Sequence, residues 1–184
     1  MMGLIEKKLR TRLRGHQNQI YSMDISPDDQ YLATGGMDMT CRVWNTITNE
    51  CVTVLRNHTD TINGVNFAAN GEMLVTGSMD ADVIVYKTEG WQVHRHVRSN
   101  GWRTVYSAVF NNACTKVLFG ADAIIRIYDL ESEREVGILE GHTKQVRCIT
   151  LTKNDKIACS GGHDRCIRVW DLERLCSIGK LDGH

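Results

Sequence analysis

The chain has 184 residues, 42% hydrophobic and 24% charged, with 22 Lys plus Arg balancing 22 Asp plus Glu. A length of this order buries a proper core, and a formal net charge of zero removes any global pull toward nucleic acid or anionic lipid. The opening MMGLIEKKLR has no apolar run long enough for a signal peptide, and no later stretch is long enough to span a bilayer, so a cytoplasmic or a nuclear protein is expected. Sixteen glycines against one proline, Pro27, indicate many tight turns. The seven cysteines (Cys41, Cys51, Cys114, Cys148, Cys159, Cys166, Cys176) form no CxxC pair, and they read as small apolar core residues in a reducing compartment.

In chain order the first feature is a basic run, Lys7, Lys8, Arg10, Arg12 and Arg14. Leu9, Thr11 and Leu13 alternate with its charges, so residues 8–14 read as an edge strand with a charged outer face rather than a nucleic-acid patch. Ile20, Met23 and Ile25 mark the next strand, ahead of the turn Ser26-Pro27-Asp28-Asp29. Tyr31-Leu32-Ala33-Thr34 follows, then Gly35-Gly36-Met37-Asp38, then Cys41-Arg42-Val43-Trp44, and Cys51 to Leu55 closes the unit. These segments are short, rich in β-branched and aromatic residues, and punctuated by Gly, Asn and Asp. No segment sustains the three-and-four apolar spacing of a helix.

The unit then repeats. His16, His58, Asn100, His142 and His184 are spaced 42 apart, as are Asp38, Asp80, Asp122 and Asp164, and as are Trp44, Tyr86, Tyr128 and Trp170. Four strands in a period of this size are the signature of a propeller blade. The reading is residues 1–7 as an N-terminal extension and 8–184 as one repeat domain. Its repeats run over 8–49, 50–91, 92–133 and 134–175, and a further one starts at 176–184.

Gly141-His142, Ser160-Gly161-Gly162-His163-Asp164 and Val169-Trp170-Asp171 resemble the marks of the WD-repeat β-propeller family. Repeats two to four are also somewhat similar to the later blades of heterotrimeric G-protein beta subunits. Thr61-Ile62-Asn63-Gly64-Val65-Asn66-Phe67 and Thr76-Gly77-Ser78-Met79-Asp80 carry that likeness. Thr61 and Met79 depart from the acidic residues by which such a subunit holds its alpha partner. The resemblance implies an all-β fold with four four-stranded blades, and a non-catalytic scaffold for protein or peptide partners in signalling or complex assembly. The alternatives are a beta-like signalling subunit and a nucleic-acid-associated module. No small-molecule substrate, cofactor, metal or membrane span is expected.

In such a family His16, Thr34, Asp38 and Trp44 would form a buried polar network in blade one, and His142, Ser160, Asp164 and Trp170 would do so in blade four. The carboxylate and the hydroxyl each meet one imidazole nitrogen, and the hydroxyl receives the indole N–H. His142, Ser160 and Asp164 superficially resemble a hydrolase triad. The trio recurs period after period without a nucleophile elbow, so it reads as structure. Blade two keeps His58, Thr76 and Asp80 but has Tyr86 for Trp. Blade three has Asn100 for His, Leu118 or Phe119 for the hydroxyl and Tyr128 for Trp, so its network cannot close, although Asp122 remains. His94 and His96 alternate on an outer strand without a third metal ligand.

Partner contacts are expected on the narrow top face. The residue before each network Asp points there: Met37, Met79, Ala121 and His163. So do Gln19 and Tyr21, Thr61 and Asn63, and Gln145 and Arg147, with Trp102, Arg103 and Tyr106 from blade three. Trp102 has two readings, an exposed anchor or a ring folded inward where Asn100 replaces His. Each blade of the family borrows its outer strand from the next repeat. Residues 8–14 and 176–181 then read as outer strands, and Gly183-His184 as the opening of a fifth unit. The array is expected to belong to a seven- or eight-bladed propeller or to associate, with four-bladed closure the alternative.

Overall fold

The computed structural model describes residues 11–182, which contain sixteen β-strands and no helix. They form four antiparallel sheets of four strands each, with chain neighbours paired throughout. Blade one consists of β1 (Ile20–Ile25), β2 (Tyr31–Gly36), β3 (Cys41–Asn45) and β4 (Cys51–Leu55). Blade two consists of β5 (Ile62–Phe67), β6 (Met73–Ser78), β7 (Val83–Lys87) and β8 (Gln92–Val97). Blade three consists of β9 (Val105–Phe110), β10 (Lys116–Ala121), β11 (Ile124–Asp129) and β12 (Arg134–Leu139). Blade four consists of β13 (Val146–Leu151), β14 (Ile157–Gly162), β15 (Cys166–Asp171) and β16 (Cys176–Asp182).

The expected all-β, four-blade architecture is present. The outer strand read at 176–181 is β16. Residues 11–14 carry no strand, and residues 8–10, with Lys7, Lys8, Leu9 and Arg10, lie outside the described residues. An extended segment becomes a strand only beside a partner that accepts its ladder bonds; none pairs with 11–14 among the described residues.

Successive blades stack through their faces, and three apolar cores lie between them. The first joins Ala33, Cys41, Val43 and Leu55 of blade one to Ile62, Val65, Leu74 and Tyr86 of blade two. The second joins Val75, Val83 and Val97 to Val105, Ala108 and Phe119, and the third joins Leu118, Ile125 and Leu139 to Val146, Ile149 and Trp170. Of the cysteines, only Cys41 is buried; Cys51, Cys148 and Cys176 are exposed. The expectation of seven core cysteines is therefore corrected. Cys51 and Cys176 begin the outermost strands, and Cys148 lies on a face that no described blade covers.

Blade three breaks the period in a way that residue spacing conceals. Phe119 pairs with Arg126, as Thr34 pairs with Arg42, Thr76 with Ile84 and Ser160 with Arg168. Phe119, not Leu118, therefore stands at the hydroxyl position. A residue gained before β9 is cancelled by one lost from the β10–β11 turn, which leaves Asp122 in period by number alone.

Candidate functional site

The loop before each blade's first strand and the turn after its second are tied by one backbone bond. The N–H of Met37 donates to the Gln19 carbonyl at 2.8 Å, Met79 to Thr61 at 2.9 Å, Asp122 to Thr104 at 3.2 Å and His163 to Gln145 at 2.9 Å. These loops make one rim across the four blades. Beneath it lie the polar networks that hold it in register.

In blade four His142 Nε2 lies 2.7 Å from Ser160 Oγ and His142 Nδ1 2.8 Å from Asp164. Trp170 Nε1–H donates to the same Ser160 oxygen at 2.8 Å. Blade one repeats this with His16 Nε2 2.8 Å from Thr34 Oγ1, His16 Nδ1 2.9 Å from Asp38, and the Trp44 indole donating at 2.9 Å. Ser160 is buried and its oxygen already accepts an indole proton, so the trio lacks the approach that an attacking hydroxyl needs.

Burial works against charge on Asp38, but the Gln17 N–H, the Thr40 hydroxyl and His16 outweigh it and hold the carboxyl at about 2. Asp80 is likewise held at about 2 against burial, by His58 and the N–H groups of Thr59 and Asp82. Asp164 is lowered too, where the Thr143 N–H and His142 overcome burial. Each carboxylate thus ties the loop carrying its histidine to the turn after the second strand.

Blade two keeps His58 Nδ1 2.9 Å from Asp80 and His58 Nε2 2.8 Å from Thr76. Its Tyr86 hydroxyl donates to Asn57 Oδ1 at 3.3 Å instead of closing on Thr76. The substitutions travel together for a steric reason. A Cβ on Gly15 would meet the Arg42 guanidinium at 2.7 Å and Trp44 at 3.0 Å, and one on Gly141 would meet Arg168 at 2.8 Å and Trp170 at 3.2 Å. Blade two has Ile84 and Tyr86 at those places, and Asn57 stands where the others have glycine.

Blade three has no such network. Asn100 is exposed, and Asp122 takes the place of Met37, Met79 and His163 and accepts the Arg103 N–H at 3.1 Å. Ala121 is buried and so is not a rim residue. Tyr128, half-buried, packs on the second core and makes no side-chain hydrogen bond among the described residues. Trp102 fills the gap. It is half-buried against Phe119 at 5.7 Å between centroids, Arg126 lies over its ring at 4.7 Å, and its indole N–H donates to the Ala81 carbonyl at 2.7 Å. Of the two readings of Trp102, the structure places the ring inward, because Phe119 and Arg126 offer it a face.

The other rim positions divide. Thr61 is buried, and Asn63 is half-buried with its amide donating to the Val105 carbonyl at 3.3 Å. Thr61 therefore presents little surface there. Tyr21 and Met37 are exposed, the Tyr21 hydroxyl donating to Gln19 at 3.1 Å. Arg103 is exposed, and Met79 and Gln145 are half-buried. Three side chains gather across blades three and four: the Arg147 guanidinium lies 4.2 Å from the Tyr106 ring centroid, and the His163 ring 6.3 Å from it. Away from the rim, His96 Nε2 pairs with Asp82 at 2.7 Å. His94 is half-buried, and burial together with Arg95 and Lys87 lowers its pKa.

Sequence reasoning misses the clasps between blades. Asp24 Oδ2 accepts from the Phe67 N–H at 2.7 Å and the Asn66 amide at 3.0 Å, and Asn66 Oδ1 in turn accepts the Phe110 N–H at 3.0 Å. Asp24 and Asn66 share one repeat position, a signal the spacing did contain. Asp155 accepts from the N–H groups of Asn112 and Ala113 at 2.7 and 2.9 Å, and among the other repeats only Asp29 shares its position.

Comparison with known proteins agrees with this geometry. The family profile described as WD domain, G-beta repeat matches residues 7–45, 49–87 and 133–171, together more than half of the chain. The longest unmatched stretch, residues 88–132, contains β9, β10 and β11 of the altered blade three. Over 40 residues the chain is 52% identical to eukaryotic translation initiation factor 3 subunit I of Aspergillus niger, covering 22% of this chain and 12% of that protein. The same subunit of Aspergillus oryzae is 50% identical, with 22% and 12% covered, and that of Scheffersomyces stipitis 45%, with 22% and 11% covered. The matched segment thus spans about one eighth of these relatives' length. Sheets, networks and matched repeats agree, and the chain belongs to the WD-repeat family.

Proposed function

We propose that this chain is a non-catalytic scaffold that holds a protein partner on its rim, with Tyr106, Arg147 and His163 as the anchoring cluster, inside a cytoplasmic multi-subunit assembly of translation initiation. The observation that carries the rim reading is the stacked pair, Arg147 lying 4.2 Å from the Tyr106 ring centroid, with Arg147 and His163 both exposed. Arg and aromatic side chains dominate interface hot spots, and stacking the guanidinium in the free chain reduces the ordering cost of binding. Around the cluster, Gln19, Tyr21, Met37, Asn63, Met79, Arg103 and Gln145 make a mixed polar and apolar rim. That mixture suits a protein or peptide better than a phosphate backbone, which calls for a basic stripe. The likeness to subunit I of translation initiation factor 3 supports a place in a complex.

The test is co-purification of the tagged chain with the other subunits of that factor from a eukaryotic extract. Arg147→Glu, at an exposed site, is expected to leave the melting temperature unchanged and to weaken recovery about tenfold or more. Equal recovery by Arg147→Glu and the unaltered chain overturns the rim assignment. No recovery by the unaltered chain overturns the assembly assignment.

A further inference from the structure

In blades one and four an arginine of the third strand lies against the glycine of the loop that carries the histidine. The Arg42 guanidinium is 2.7 Å from where a Cβ on Gly15 would fall, and that of Arg168 is 2.8 Å from one on Gly141. Arg168 also lies over the Trp170 ring, 5.9 Å from its centroid. Blade three keeps the arginine, Arg126, but has Ser99 for the glycine, Asn100 for the histidine and Tyr128 for the tryptophan. Arg126 instead stacks on Trp102 at 4.7 Å and donates to Glu135 at 2.6 Å. The rearrangement leaves a cleft of about 260 Å³ whose walls include Trp102, Phe119, Arg126 and Tyr128, with Arg98 and Arg134 beside them. Arg98 follows the outer strand of blade two, so the cleft lies at an internal junction with both of its blades described.

The charges at its mouth are particular to this blade. Glu133, Arg134 and Glu135 stand where blade two has Trp91, Gln92 and Val93 and blade four has Leu175, Cys176 and Ser177. Both glutamates are already paired, Glu133 with Arg95 at 2.8 Å and Glu135 with Arg126 at 2.6 Å. Arg98 and Arg134 are exposed and have no ion-pair partner among the described residues. These two guanidinium groups are the cleft's surplus of charge.

We infer that this cleft is a second docking site, taking an acidic segment of a protein partner. A carboxylate of that segment pairs with Arg98 and Arg134, and an apolar side chain beside it rests against Trp102 and Tyr128. Charge complementarity selects the carboxylate, since a guanidinium fork matches its two oxygens and neither arginine has another partner to give up. The volume, below the roughly 300–1,000 Å³ of small-molecule sites, suits one inserted side chain rather than a cofactor. A nucleic acid fits less well. Glu133 and Glu135 at the mouth repel a run of phosphates, and Arg126 and Phe119 already pack on the Trp102 ring that a base would need. This inference is independent of the rim reading.

Fluorescence anisotropy of the full chain with a labelled synthetic peptide alternating glutamate and phenylalanine tests it. That peptide is expected to bind, and its counterpart with glutamine for glutamate to bind about tenfold or more weakly. Arg98→Glu and Arg134→Glu alter exposed, unpaired side chains. Each is expected to weaken binding about tenfold or more without changing the far-ultraviolet circular dichroism. Arg147→Glu, on the rim, is expected to bind the peptide as the unaltered chain does. The Trp102 indole N–H resonance, assigned by its loss in Trp102→Phe, is expected to shift as peptide is added. Absence of binding, equal binding of the glutamine peptide, or full binding by both Arg98→Glu and Arg134→Glu each overturns the proposal. Weakening by Arg147→Glu as large as by Arg98→Glu, or an RNA oligonucleotide that displaces the peptide and binds more tightly, overturns it too. If either charge reversal unfolds the chain, the indole resonance decides: a shift supports the site, and an unmoved resonance overturns it.

Discussion

The Trp102 indole donates to the Ala81 carbonyl at 2.7 Å, so blade three is tied to blade two by a side chain that has no counterpart in the other blades. Its ring also covers Phe119 and lies under Arg126. Trp102→Ala is expected to cost about 3 kcal/mol from lost packing. Trp102→Phe, which keeps an aromatic face but loses the N–H, is expected to cost about 1 kcal/mol. Urea midpoints measure both, and a neutral Trp102→Ala would contradict the packing role.

His142 and Asn100 share a repeat position but not a role. His142→Ala takes one hydrogen-bond partner from each of Ser160 and Asp164, leaves a gap beneath the rim, and is expected to cost about 2–4 kcal/mol. Asn100 is exposed, and Asn100→Ala should stay within about 0.5 kcal/mol. Equal losses in chemical denaturation would count against the network.

Asp38 and Asp80 are held at about 2, below the ordinary 3.8. A depressed carboxylate stabilises the fold fully above its unfolded value, and that contribution is lost as pH falls through the folded value. Each should contribute roughly 2 kcal/mol at neutral pH, vanishing between about 3.8 and about 2. Asp38→Asn should therefore destabilise the chain at neutral pH and make little difference near pH 2. Thermal melts of the variant and the unaltered chain across that range check the sign.

Asp155 receives two backbone N–H groups and the side-chain amides of Asn111 and Asn112 across the junction of blades three and four. Asp155→Ala strands those donors in a loop and is expected to cost about 2–3 kcal/mol. Hydrogen exchange should speed up first at Asn112 and Ala113. Uniform acceleration through the chain would mean that the clasp is not local.

What the sequence by itself determined is the repeat. A period of 42 residues, two-residue alternation within short segments and glycine-rich turns are local properties, and they suffice for an all-β array of four blades. The composition of the networks at His16 and His142 was also legible, because four residue types recur together. The tertiary structure decided the rest, for reasons of register and cover. One residue gained and one lost in blade three cancel in the count, so only strand pairing reveals that Phe119 faces the network site and that Asp122 has moved to the rim. Whether Trp102 turns inward depends on Phe119 and Arg126, which are distant in sequence. Whether Ile62 is buried while Ile20, at the same repeat position, is exposed, or Cys41 buried while Cys148 is exposed, depends on which blade faces have a neighbour among the described residues. Side-chain pattern selects a face of a strand, but only the next sheet determines whether that face meets protein or water.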